Sequence, residues 1–528
     1  MKVKVLGACC GLVVCLLASA AQAQLNRATV KAMGLETAWK SQVQIPLTGG
    51  GVVSSHLWAD ASQSSKYAVV TLADRVIRIP ASAPDRKGNP IGIEVAKEIA
   101  KKKAALILGK NDGFQVVERS VPSINLVLIT SDGMVQCMNA ETGKLNWAAS
   151  CGLSSAPAHP GAVSTSGVSV VQGQYLYLLD WATGKLVSQR KLREATGNAV
   201  AACNDLAFVS DFGGRIQAYG LRNEQKPWRY VMHGRSVGRS VTLANQTFSA
   251  VATERGYVYV FANHDGPSVW IRYETNSPLT GSLSAGKDAF YAGSVGGVVT
   301  KFSVDDRLGK IRWEYRIGRT VTAPPLVVKD CVYAASESGH LTSIDDKTGA
   351  ANWVNDLAAI AQPIGESRDA LVCLTSTGEL ANVDIETGRI ESKSTPLDLG
   401  HAVINQLNDR IYLVAKNGAI QCLRSAGADL PTMFADVAEP SETDENTDTT
   451  ITPAASEPAG AEGSPFNFNN EVGGDPFGGA GEAAPAGGDP FSGGAGGDPF
   501  GGDPGGDPFG GAGGGSDPFG GDPFGGGN

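Results

Sequence analysis

The sequence predicts an all-β fold, a β-propeller of about eight four-stranded antiparallel blades followed by a disordered C-terminal tail. Three observations predict it. A glycine-centred hairpin recurs at Gly133, Gly173, Gly214, Gly256, Gly297, Gly339, Gly378 and Gly418, with spacings of 39 to 42 residues. Between hairpins lies a second turn whose glycine is followed four residues later by tryptophan, as in ETGKLNW (141–147), RLGKIRW (307–313) and KTGAANW (347–353). Small and proline-rich stretches such as GLSSAPAHPG (152–161) and GRTVTAPPLV (318–327) then lead into the next unit, as a crossing from outer to inner strand requires.

Each hairpin glycine is flanked by a β-rich apolar run and a second alternating run, as in LVLITSDGMVQCM (126–138) and IYLVAKNGAIQCL (411–423). That is the pattern of two buried strands joined by a tight turn. The Thr-Gly turn reverses the chain into an outermost strand, where an indole can pack between neighbouring blades. Trp147, Trp228, Trp270, Trp313 and Trp353 share this phase and form the expected blade-docking set, while ATGKLVS (182–188) and ETGRIES (386–392) are degenerate copies.

The start of the array is less regular. GLETAWKSQVQIPL (34–47) resembles a tryptophan-bearing outer strand and is expected to complete the last blade and close the ring, which hides the open sheet edges. KYAVVTLADRVIRI (66–79) reads as another strand pair, and the insertion 84–110 contains a short helix. Eight blades is the preferred count, with seven and nine open.

These units resemble the pyrroloquinoline-quinone-type propeller repeat, with its A-x-D-x-x-T-G-K-x-x-W tryptophan-docking motif. That family includes quinoprotein alcohol dehydrogenases and the propeller subunit of the outer-membrane β-barrel assembly machine. The resemblance covers residues 110–435, and more weakly 36–80. In the dehydrogenases it implies a Ca²⁺ site, a catalytic Asp and a disulfide between adjacent cysteines. The one adjacent pair here, Cys9-Cys10, falls in the N-terminal leader, and no haem-attachment C-x-x-C-H occurs. No H-E-x-x-H, G-x-S-x-G or P-loop motif is present either, so no catalytic, cofactor-binding or metal-ligating residue is assigned and no cofactor is expected. His56, His159, His233, His264, His340 and His401 have no mutual ligand spacing and read as surface or turn residues. Cys137, Cys151, Cys203, Cys331, Cys373 and Cys422 lie in or beside apolar strands and read as small core side chains in preference to disulfides.

The chain has 528 residues and a formal charge of −9 that divides unevenly. Residues 439–528 hold 16 acidic and no basic side chains, leaving 44 basic against 37 acidic elsewhere, a formal +7. Residues 1–23 read as a secretory signal: Lys2 and Lys4, an apolar run from Val5 to Ala18, then Ala21-Gln22-Ala23. Leu6-Gly7-Ala8-Cys9 stands at the start of that run, before its apolar core and not after it, the wrong order for lipidation. The propeller is therefore expected over 24–438, with the irregular first blade carrying 84–110. The tail repeats Asp-Pro-Phe at 475, 489, 498, 507, 517 and 522 among glycines. Such a composition cannot repay its ordering entropy, yet its spaced phenylalanines suit weak multivalent contacts.

Basic residues cluster twice, as Lys97, Lys101, Lys102, Lys103 and Lys110, and as Arg215, Arg222, Arg229, Arg235 and Arg239. Either set suits an anionic polymer, lipid or protein surface. The functional expectation is a non-enzymatic exported scaffold of the bacterial cell envelope, periplasmic and soluble or peripheral, without a transmembrane helix in the mature chain. It would engage envelope proteins and not nucleic acid. The alternatives are a quinone-dependent dehydrogenase, or a polysaccharide or small-ligand binder using the central funnel.

Overall fold

The computed structural model describes residues 24–434 apart from 47–49, 73–75, 110–113, 198–199, 265, 306–308, 356–358 and 429. The expected signal segment 1–23 and tail 439–528 lie outside the described residues, as does Lys110. Among the described residues the strands form eight antiparallel sheets, seven of four strands and one of five. Each sheet is a blade. Blade 1 begins at Val52 and ends at Ser150; blades 2 to 7 span 162–191, 201–231, 236–274, 279–316, 326–355 and 360–393. Blade 8 takes three strands from 399–425 and its outermost strand, Leu35–Gln42, from the other end of the chain. That strand pairs antiparallel with Ala419–Ser425, from Leu35 opposite Ser425 to Gln42 opposite Ala419. The ring is therefore closed by the N-terminal strand.

Burial follows strand position. The second strands, such as Gly167–Gln172, Phe248–Thr253 and Ala289–Ser294, are buried at every residue, because both faces meet a neighbouring blade and continuous apolar runs are required. Outer strands such as Ile311–Arg316 alternate between buried or half-buried and exposed positions, the period-two signature of a strand covered on one face. Eight apolar clusters each bridge two consecutive blades, from Trp39, Leu126 and Tyr412 between blades 8 and 1 to Tyr333, Leu371 and Val383 between blades 6 and 7. Among the described residues no cluster fills a common centre, so stability is a sum of nearest-neighbour interfaces joined into a circle.

The segment 66–79 is not a ninth blade. The inner strand of blade 1, Val52–Thr71, and its neighbour, Val116–Thr130, run on together beyond the blade, pairing from Val52 opposite Thr130 out to Val70 opposite Val116. At the far end Val76–Pro80 adds to Tyr67–Thr71. The helix Gly92–Leu108 lies on this extension through Ala96, Ala100 and Ala104, which pack on Ala68, Val70, Ile77 and Ile79. The insertion is thus an arm with its own small core. Small alanines at i, i+4 and i+8 let the helix approach the strands closely.

Two faces of the ring follow from this connectivity. On one, the turn face, the residue leaving the outer strand donates its N–H to the hairpin glycine's carbonyl: Cys151 to Gly133, Met232 to Gly214, Thr275 to Gly256, Ile317 to Gly297, Leu397 to Gly378 and Val43 to Gly418. All eight hairpin glycines have positive φ, between +58° and +88°. On the other, the cap face, lie the Thr-Gly turns, the arm and the loop 404–410. There the Gln406 amide, oriented with its nitrogen toward Ala285 O (3.0 Å) and its oxygen toward Val327 N (3.1 Å), ties blade 8 to blades 5 and 6. Residues beyond blade 8 pack on the same loop, with the Phe434 N–H donating to Leu407 O at 2.9 Å.

Candidate functional site

The repeat motif builds the junctions first. In the turn after Asn139, the side-chain oxygen accepts from the backbone and hydroxyl of Thr142 at 2.9 and 3.0 Å. Asp180 does the same with Thr183, Asp345 with Thr348, and Asp384 with Thr387. These Asx turns hold the Asp180, Asp345 and Asp384 carboxyls below the usual carboxylate range, chiefly through the threonine hydroxyl.

Onto each turn the preceding blade sets an indole. Trp39 Nε1 donates to Ala140 O at 2.9 Å, Trp147 to Trp181 O at 2.7 Å, Trp270 to Val304 O at 3.1 Å, Trp313 to Asp346 O at 2.8 Å and Trp353 to Ile385 O at 2.7 Å. Trp39 is the member that sequence spacing did not assign, because the turn it docks on lies a hundred residues away. A one-residue β-bulge before Trp39, Trp147, Trp313 and Trp353 aims each indole at the next blade. Where serine replaces tryptophan at 188, the bulge persists and the hydroxyl donates to Leu221 O. Trp228 has no such bulge and meets blade 4 through its ring, 6.1 Å edge-on from Phe261.

The six cysteines are free, five of them buried and Cys331 half-buried. Burial pushes the Cys137 thiol up to about 11 and those of Cys151 and Cys203 up to about 12, so they remain protonated and unreactive. The two basic groups scatter. Lys97 pairs with Glu94 and Glu118 at 2.9 and 2.8 Å, while Lys101, Lys102 and Lys103 are exposed on the arm helix. Arg215 and Arg235 lie on the turn face, facing Asp211 and Glu254. Arg222 donates to Ser166 O at 2.9 Å and Arg229 is exposed on an outer strand.

Arg239 goes elsewhere. The inner strand of blade 4 skips three residues between Val237 and Val241 opposite its partner, and this bulge projects Arg239 into the channel. Its guanidinium crosses to blade 1 and donates to Val53 O at 3.0 Å. Beside it, Ser55 Oγ hydrogen-bonds His401 Nε2 at 2.8 Å. Two histidines separated by hundreds of residues, read in the sequence as surface or turn positions, are thus brought to the channel. Burial, then the charge of Arg239, pushes both His56 and His401 down to about 4.

The channel does not fit a quinone cofactor of the kind the repeat resemblance implies. Arg239 spans it, Gln406 ties across its cap end, and the described cysteines include no adjacent pair. The turn face of blades 2 to 5 has a different character. Leu153, Phe212, Val231 and Val295 are 74%, 62%, 63% and 51% exposed, and Arg193, Arg215, Arg235, Arg255 and Arg319 are exposed among them. Among the described residues, Arg255 and Arg319 form no ion pair. Exposed apolar side chains and cations sharing one face match the composition of protein-docking surfaces.

Fold and junctions together define the class: an eight-bladed propeller of Asx-turn, tryptophan-docked repeats. The family model for outer membrane protein assembly factor BamB matches residues 131–253, 172–394 and 254–433, and the chain belongs to that family. The staggered matches reflect the repeat. BamB of Yersinia pestis is 24% identical over 232 residues, covering 38% of this chain and 58% of that protein. The chain therefore matches less than two thirds of that relative's length. Among solved structures, BamB from Moraxella catarrhalis is similar at a TM-score of 0.46 and 16% identity, over 57% of this chain and 91% of that one. The computationally designed Ika8 protein is similar at 0.46 and 16%, over 56% and 92%.

Proposed function

We propose that this protein is a non-enzymatic, exported scaffold of the bacterial cell envelope that docks protein partners on its turn face. The observation that carries the reading is the exposure of Leu153, Phe212, Val231 and Val295 on one face of the ring that also presents a series of arginines. Such a surface suits a partner segment that is acidic at its rim and apolar at its centre. The leader-like residues 1–23 and membership of a family named for outer membrane protein assembly support the location. No helix among the described residues is long and apolar enough to cross a membrane. Among the described residues, burial holds the thiols of Cys137, Cys151 and Cys203 protonated.

The test is site-specific photocrosslinking in the native envelope, with the probe at 153, 212, 231 or 295 and, as a control, at 386 in the exposed Thr-Gly turn of blade 7 on the cap face. Adducts at the four turn-face positions that disappear in Arg235→Glu/Arg319→Glu are expected. Adducts only at 386, or turn-face adducts indifferent to charge reversal, would overturn the reading.

A further inference from the structure

The middle of the channel holds a cation that nothing neutralises. Arg239 is carried there by a bulge whose Gly238 sits hard against Gly281 of blade 5: a Cβ on Gly238 would lie 1.8 Å from Gly281 O. Backbone packing therefore fixes where the arginine emerges. It donates to the Val53 carbonyl, and among the described residues no carboxylate pairs with it. Neighbouring atoms of the ring lower its pKa, yet the side chain stays exposed to the channel, so the donors not used on Val53 face the channel water. Around it stand His401, hydrogen-bonded to Ser55, and His56, whose Nε2 is buried without a hydrogen-bond partner. An unneutralised guanidinium with donors to spare, beside a serine–histidine pair that holds one further N–H or O–H, sets several donors and no carboxylate toward one stretch of the channel.

We infer that Arg239, with His56, His401 and Ser55, forms a binding site at the channel centre for one oxyanion, a carboxylate or a phosphate, reached from the turn face. The guanidinium supplies the charge and the forked donors that planar or tetrahedral oxyanions take. The His401–Ser55 pair supplies one neutral donor beside it, while neutral His56, whose N–H meets the Gly161 carbonyl, lines the site and reports on its charge. Access from the cap side is obstructed by Gln406, tied to Ala285 and Val327. The inference does not depend on the turn-face docking reading.

The experiment is a titration of the full chain, in chloride buffer, with inorganic phosphate and separately with succinate, followed by calorimetry and by NMR of ¹³Cε1-labelled histidine. The expected result is saturation at one anion per chain by at least one probe, moving the His56 and His401 signals and leaving His264 and His340 in place. Succinate alone would identify an organic carboxylate, and phosphate alone an inorganic or phosphoryl ligand. Arg239→Gln, shown folded by its thermal melt, should bind at least about tenfold more weakly, as loss of a charge-assisted hydrogen bond implies. If neither probe moves His56 and His401 up to about 50 mM, a ceiling far weaker than a built site, the inference fails on the native chain alone. It fails equally if Arg239→Gln binds as the native chain does, leaving the arginine as a strut between blades 4 and 1.

Discussion

A methyl group at Gly184 would lie 2.4 Å from Cε3 of Trp147, at a φ of +67°, so two independent constraints meet at one atom. Gly184→Ala is expected to cost about 2–4 kcal/mol by urea unfolding, from backbone strain plus displacement of the indole. Gly88→Ala in the arm, with φ +87° and nothing within 4 Å, isolates the backbone part and should cost about 1 kcal/mol. Equal losses would show that the indole does not bear on the turn. A second residue-level prediction concerns acid. His56 and His401 are pushed down to about 4 from 6.5, so between those values the unfolded chain binds the protons that the folded one refuses. Their contribution is whole above about pH 6.5 and is lost as pH falls toward 4. The depressed carboxyls of Asp180, Asp345 and Asp384 act lower, their contribution present above the unfolded value of about 3.9 and lost as pH falls through the folded ones. Melting temperature against pH should therefore fall in two steps. His401→Gln should flatten only the upper step; an unchanged upper slope would contradict the channel placement.

At the scale of elements, the bulge aims the tryptophan. Asn352 is the extra residue before Trp353, and the strand pairs Trp353 with Ser343 and Ala351 with Ile344 around it. Deleting Asn352 restores a regular ladder and turns either the strand or the indole away, because one residue exchanges the faces of a strand. The loss should reach about 3–5 kcal/mol, that of truncating a buried aromatic, and tryptophan fluorescence should shift to the red. The arm makes the opposite prediction. Asp60 and Ser123 are paired across blade 1 where the arm begins, and the arm's apolar residues form their own cluster. Replacing 61–122 with a two-residue turn should leave the far-ultraviolet spectrum of a β-protein and a cooperative melt within a few degrees of the native one, since distant, independent cores add. Collapse of the melt would show that the arm supports the ring.

For the whole molecule, closure is the decisive contact. Strand Leu35–Gln42 covers the edge of blade 8, Trp39 reaches Ala140 of blade 1, and the helix Arg27–Ala32 packs Val30 and Met33 on blades 7 and 8. Between blades 8 and 1, fully buried Arg410 bonds Asp409 at 3.0 Å and Glu141 at 3.4 Å, and burial pushes Glu141 up against the pull of Arg410. A chain lacking residues 24–43 would leave a long bare edge and that ion network open to water. It should lose cooperative unfolding and elute as soluble oligomers or aggregates, the fate of exposed strand edges. A monomer with the native melt would mean that the eight interfaces hold the ring without closure.

Repeat, hairpins, Thr-Gly turns and most docking tryptophans were legible in the chain because they are local: φ preferences, Asx hydrogen bonds and strand alternation act within a few residues, and eight copies reinforce one another. The closing strand was legible too, since 34–47 repeats the outer-strand pattern out of order. The count of eight required the tertiary structure, because 66–79 has the composition of a blade strand and only its pairing shows an arm. The sites were the least legible. His56, Arg239 and His401 have unremarkable neighbours in sequence, and the turn-face patch draws single residues from several blades. Sequence by itself determined the repeating unit, whose interactions are short-ranged. Only closing the ring decided which residues would face the channel and which would share a surface, because a circle sets side by side positions that the chain keeps hundreds of residues apart.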